Sequence, residues 1–254
     1  MDQATKLSLD VVLGTLDLKL ALAVGVIIIA ALISGYTGFG GALFMVPLMV
    51  VLFGPVEAVA VSRIVGLLGR AQLYSNAART AKWSEVFPLF VAIVIVTPFA
   101  STVLFIADPE LIRRGIGVLV ILVSIVMLSG WTYRGSRGWP ASLFFGSICG
   151  GLAGIAGIGG PPMVLYFMTA PDENKVRRAN IVMAVALVTL VVLTTFLVKG
   201  GIGASTVIRA AILLPASVIG TWLGNWAFGV APQTYFRYVA LTLLFATGVA
   251  TVVL

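Results

Sequence analysis

Arg63 and Arg70 stand seven positions apart in a run of otherwise small and apolar residues, "AVAVSRIVGLLGRAQ". On a helix such a pair is offset by only about 20°, and Gly66 lies between the two on nearly the same face. An arginine at bilayer depth costs roughly 2.5–3.5 kcal/mol on insertion scales, so two on one face point to a cavity or an anion rather than to lipid. The guanidinium fork binds two oxygens of an oxyanion at once. The chemistry on offer is capture of a small anion by fixed charge. Ser62, and Asn180, which aligns with it to within one residue in the second half of the chain, are further candidate ligands. Two blander readings stand beside this one. Arg70 could snorkel toward the loop at 76–82, and Glu57 could pair with Arg63.

Positioning such a site takes irregular backbone at depth, and the sequence supplies it twice. "GYTGFGG" at 35–41 and "GIAGIGG" at 154–160 share the spacing G-x-x-G-x-G-G, offset by 119 residues (154 − 35). Inside a bilayer every unsatisfied backbone group costs several kcal/mol, so a break is tolerated only where protein or a polar cavity receives it. Broken segments in corresponding positions of two halves mark the binding site of many transporters. Gly38, Gly40 and Gly41, with Gly157, Gly159 and Gly160, are therefore candidates to line a site between the breaks. Pro161 follows the second break, where a missing N–H is harmless in the first turn of a new helix. That helix would aim its positive end and free amides at the gap, as an anion site requires. Close packing through small residues is the competing account.

The match between the halves extends further. Pro98 and Pro215 each interrupt a long apolar segment after the motif, and Pro109–Arg114 and Pro232–Arg237 share the spacing Pro-x4-Arg. One transmembrane domain over 1–254 is expected, built of repeats 18–131 and 139–254 around a basic linker, 132–138. Counting each interrupted segment once, the fold class is an all-α polytopic membrane protein of about eight transmembrane helices in two pseudo-symmetric four-element repeats, broken at the glycine motifs. If the breaks return the chain to its starting side, the repeats are inverted, and Arg79, Lys82, Arg134, Arg137, Lys175, Arg177 and Arg178 share one face. If they cross, the repeats are parallel, and the charges again divide seven to five. The charge rule does not decide; the broken helices favour inversion.

Composition agrees. Of 254 residues 60% are apolar and 10% charged, against about 25% charged in soluble domains. The net charge of +7 sits mostly in short loops, as the positive-inside rule requires, and no soluble segment remains to bind nucleic acid. The N-terminal stretch, with Leu7, Leu9, Val11 and Val12, reads as a short interfacial helix. The chain has no histidine and a single cysteine, Cys149. Haem ligation, ordinary zinc sites and an internal disulfide are excluded, and no cofactor is expected. No acidic residue falls convincingly at mid-membrane, so a proton-coupling group is not legible.

"GYTGFGGALFMVPLMV" and "GIAGIGGPPMVLYFM" in a short two-repeat membrane chain resemble the sulfite exporter TauE/SafE family. The resemblance runs from Leu20 to Leu254, with the family's glycines at Gly38, Gly40, Gly41, Gly157, Gly159 and Gly160 and its following proline at Pro47 and Pro161. Tyr166 stands where a second counterpart of Pro47 would be. The resemblance implies a transporter in a bacterial or archaeal inner membrane, often an exporter, of sulfite, sulfoacetate or another organosulfonate. The residues alone imply only a small-anion transporter; sulfur comes from the resemblance. Its partners would be that anion and the lipid bilayer, with family habit and small-residue surfaces compatible with a homodimer. A passive anion channel and a carrier of non-sulfur organic anions stay open. An intramembrane enzyme is disfavoured, because no protease or nucleophile motif and no paired mid-membrane carboxylates are present.

Overall fold

A computed structural model describes residues 18–131, 133, 135–136, 138–168, 172–228 and 233–253, with backbone alone for 233–241. The N-terminal stretch, Arg134, Arg137, Pro232 and the side chain of Arg237 lie outside the described residues. All regular structure among those described is α-helical, as the need to satisfy backbone groups internally dictates in lipid. The first half holds α1 Leu18–Thr37, α2 Gly41–Phe53, α3 Pro55–Gly69, α4 Ala71–Thr80, α5 Trp83–Ile106 and α6 Pro109–Leu128. The second holds α7 Trp139–Ala156, α8 Gly160–Phe167, α9 Asn174–Val198, α10 Ala204–Phe228 and α11 Gln233–Val253. Six of these eleven helices, α1, α5, α6, α7, α9 and α10, are long and apolar enough to cross a membrane. The protein is a multi-pass membrane protein.

The segment count exceeds the eight interrupted elements expected because three helices are divided. Two divisions are the glycine breaks. The third is at Arg70, where the segment expected at about 57–75 ends as α3 and restarts as the shorter α4. Pro98 and Pro215, by contrast, sit inside continuous helices, α5 and α10. α6 starts with a side-chain N-cap, whereas α2–α5 and α7–α9 start without one. Asp108 accepts from the amides of Glu110 and Leu111 at 2.9 and 3.1 Å, with Pro109 in the first turn of α6.

Close helix approach fixes the relative directions. Gly220 of α10 lies against Ile28 and Ala31 of α1, and Gly224 lies against Leu32 and Tyr36, so α1 and α10 run parallel. Gly146, Gly150 and Gly154 of α7 meet successive turns of α5, from Leu89 to Ser101, in the same sense. Gly117 of α6 and Gly248 of α11 make an antiparallel crossing. Each glycine break reverses the chain. Gly41 faces Ala30 and Ser34 of α1, and α2 ends at Phe53 against Arg209, near the start of α10. In the second half, α8 returns along α7 until the Tyr166 hydroxyl meets Ser142 at 2.8 Å.

The result has two ends. One, the Lys82 face, carries Arg79, Lys82 and Arg177, with Lys82 bridging to Asp172 at 3.4 Å. The other carries the Glu57–Arg209 pair at 2.7 Å and the Lys199–Thr102 hydrogen bond at 2.6 Å. Between them α9 is the most enclosed span, 61% buried over its most apolar stretch, against 28% for the peripheral α6. Peripheral helices turn large apolar groups outward, Phe99, Ile106 and Leu122 among them. The short α4 differs: its exposed positions include Gln72, Ser75, Asn76 and Arg79.

A Cβ at Gly224 would lie 2.2 Å from the Leu32 carbonyl oxygen, whereas one at Gly25 meets nothing within 4 Å. Gly224→Val is therefore expected to destabilise by about 1–3 kcal/mol or more through overpacking, and Gly25→Ala to leave stability unchanged. Thermal unfolding of the purified variants checks this, and equal melting of the two would contradict the packing argument.

Candidate functional site

Arg63 is 3% and Arg70 is 8% exposed, both on the α3 side of one small cavity. Ser34 of α1, Gly41 and Met45 of α2, Ser62 and Gly66 of α3, and Ser217 of α10 share its wall. About 20 Å³ is free to the centre of a water-sized molecule, which is room for a water. α2 begins at this wall. Its first amides have no acceptor within the helix, and its positive dipole end adds to the charge of the two arginines at the same cavity. The hydroxyl of Ser62 is buried and has no hydrogen-bond partner.

The arginines are held differently. Arg63 donates through Nη1 to Thr189 Oγ1 at 3.1 Å and through Nη2 to the carbonyl of Gly157, while its Nε is buried without a partner. Arg70 lies at the α3–α4 junction and donates from Nε to the Gly66 carbonyl at 2.7 Å. Neither forms an ion pair with a carboxylate among the described residues. Glu57, the partner suggested for Arg63 by sequence, instead pairs with Arg209, because α3 carries residue 57 to the end of the helix where α10 begins. Arg70 does not snorkel; its guanidinium is buried against its own helix.

Backbone at the breaks takes the form the glycines allow. Gly38 and Gly40 have φ of 85° and 86°, and Gly157 has φ of 65°. These left-handed values strain any residue with a Cβ. Thr37 Oγ1 accepts from the amide of Phe39 at 3.2 Å, replacing a lost helical bond. The two breaks meet in space: a Cβ at Gly160 would lie 3.9 Å from that of Phe39.

Not every expected ligand reaches the cavity. Gly41, Ser62, Arg63 and Arg70 line it. Gly38 and Gly40 form the adjoining turn, and Gly157 touches it through Arg63. Gly159, Gly160 and Pro161 build the start of α8 against Phe39 and the interior, off the cavity wall. Asn180 sits toward the Lys82 face, where its Oδ1 accepts from the amide of Lys82 at 2.7 Å and caps the turn into α5. Ser34 and Ser217 were not singled out by sequence. Both carried a weak signal, one residue before the first glycine motif and two after Pro215.

The family model described as sulfite exporter TauE/SafE matches residues 22–251. No curated protein and no solved structure matches the chain. The chain belongs to the sulfite exporter TauE/SafE family.

Thr189 is the side-chain acceptor that holds Arg63, and it also donates to the Val185 carbonyl at 2.7 Å. Thr189→Val keeps the shape and strips a buried guanidinium of one acceptor. The expected loss is about 1–3 kcal/mol, read as a lower melting temperature of the purified variant. An unchanged melting curve would mean that Arg63 finds another acceptor.

Proposed function

We propose that this chain is a secondary or facilitated carrier of a small sulfur-containing anion, such as sulfite, sulfoacetate or another organosulfonate, in a bacterial or archaeal inner membrane. Family membership supports the sulfur chemistry. One observation carries the anion: two guanidinium groups are buried on one wall with no carboxylate paired to either among the described residues. Buried unpaired charge of one sign is a strong demand for a counter-ion. Arg63 and Arg70 supply the charge, and the Ser62 hydroxyl and the first amides of α2 supply directed hydrogen bonds. Pyramidal and tetrahedral oxyanions present three or more acceptor oxygens to such a set.

The small size of the cavity, about 20 Å³ free to the centre of a water-sized molecule, supports a carrier over an open pore, because an anion larger than water fits only when the wall moves. The helix directions support two inverted repeats, 18–131 and 139–254. α1 and α7 correspond in sequence and run oppositely, and the parallel pairings α1 with α10 and α7 with α5 exchange under a two-fold axis in the membrane plane. The four-element description fits if each broken pair is counted once.

Ligand-dependent melting tests the reading. Sulfite, sulfoacetate, taurine and thiosulfate are compared with sulfate and chloride, on the native chain and on Arg70→Gln. At about 100 times its dissociation constant a bound anion stabilises by roughly 2.7 kcal/mol. A rise with at least one sulfur anion, reduced or lost in Arg70→Gln, is the expected outcome. No rise with any sulfur anion overturns the substrate class, and a rise undiminished in Arg70→Gln overturns the cavity as the site.

A further inference from the structure

We propose that Arg178 is a positioning residue for transport: it latches the end of α1 onto α9 and α10, and its release opens the cavity to the Lys82 face. This rests on the transporter reading above. α1 ends at Thr37, so the carbonyl of Gly35 loses its helical donor, the amide of Phe39, to Thr37 Oγ1. Arg178 of α9 replaces it. Its Nη2 donates to the Gly35 carbonyl at 2.6 Å and to Asn225 Oδ1 of α10 at 2.9 Å. The guanidinium stacks 4.3 Å from the centre of the Phe228 ring, which meets Tyr36 edge-on at 5.6 Å. The methylene stem covers the break itself, with Cγ 3.4 Å from a Cβ built at Gly38. One side chain thus touches α1, the turn after it and α10, next to Ser34 on the cavity wall.

Arg63 makes the corresponding contact in the other half, from α3 to the Gly157 carbonyl at the end of α7. In both cases an arginine of one half caps the broken helix of the other. The two differ in surroundings. Arg63 is 3% exposed and would be stranded by release, whereas Arg178 is half-buried and can exchange its protein acceptors for water. The Arg178 contact is therefore the one that opens.

The test reads accessibility and needs no substrate, so failure of the latch and failure of the anion reading are distinguishable. Cys149→Ala removes the chain's single cysteine. In that background Ser34→Cys reports the cavity wall, and Thr97→Cys reports the α5–α7 seam remote from the latch. A membrane-impermeant maleimide is applied to sided vesicles on the face where Thr80→Cys reacts. Arg178→Ala is expected to raise Ser34→Cys labelling by about tenfold or more. Asn225→Ala, at an exposed position, should raise it less, Arg178→Lys should restore most of the protection, and Thr97→Cys should stay unlabelled throughout. If Arg178→Ala does not fold, Asn225→Ala and Arg178→Lys carry the comparison. Unchanged Ser34→Cys labelling in the variants that fold, or an equal rise at Thr97→Cys, would overturn the latch.

Discussion

No backbone amide or carbonyl can be left without a partner where water is absent, and the architecture follows from that constraint. It makes every described element a helix. It also makes each helix end inside the protein a problem that needs a named solution. At the first break Thr37 and Arg178 take up the amide and carbonyl that α1 no longer pairs. At the second, Gly157 closes α7 on the Ala153 carbonyl and offers its own carbonyl to Arg63. The breaks are tolerated because charged side chains from elsewhere in the fold cap them.

This explains why Arg63 belongs to two accounts at once. A guanidinium has five donors, and its two protein acceptors, Thr189 and Gly157, do not exhaust them. The structural role orients the group; the remaining donors and the uncompensated charge are what an anion would meet. Under the proposed function, packing and binding are not rivals at this residue. The same guanidinium that secures α7 presents its charge to the cavity beside α2.

Much of the fold was legible because membrane helices announce themselves by length and apolarity, and the duplicated G-x-x-G-x-G-G spacing located both reversals. The division at Arg70 was not legible. Gly66 and Gly69 weaken the end of α3, but isolated glycines do not by themselves place a helix break. Arg63 and Arg70 could be placed on one face because seven residues is nearly two turns, and Ser62 was reached by its alignment with Asn180. Ser34 and Ser217 could not, since they reach the wall through contacts between segments some 180 residues apart (217 − 34 = 183). Asn180 shows the limit of arguing by repeat alignment. At the position that the alignment pairs with Ser62, the amide side chain caps a turn instead.

The glycine seam between α1 and α10 also bears on how the chain is made. Gly224 meets Leu32 across 192 residues of sequence (224 − 32), so the partner of α1 leaves the ribosome long after α1 itself. At about 5–20 residues per second, α1 waits roughly 10–40 s in the bilayer with its small-residue stripe facing lipid. The waiting helix is stable as a helix, since its backbone is already satisfied, but its neighbours are provisional. Assembly of the first half is therefore completed only by the second. A ribosome that stalls before α10 would leave a membrane-inserted intermediate whose cavity wall still lacks Ser217.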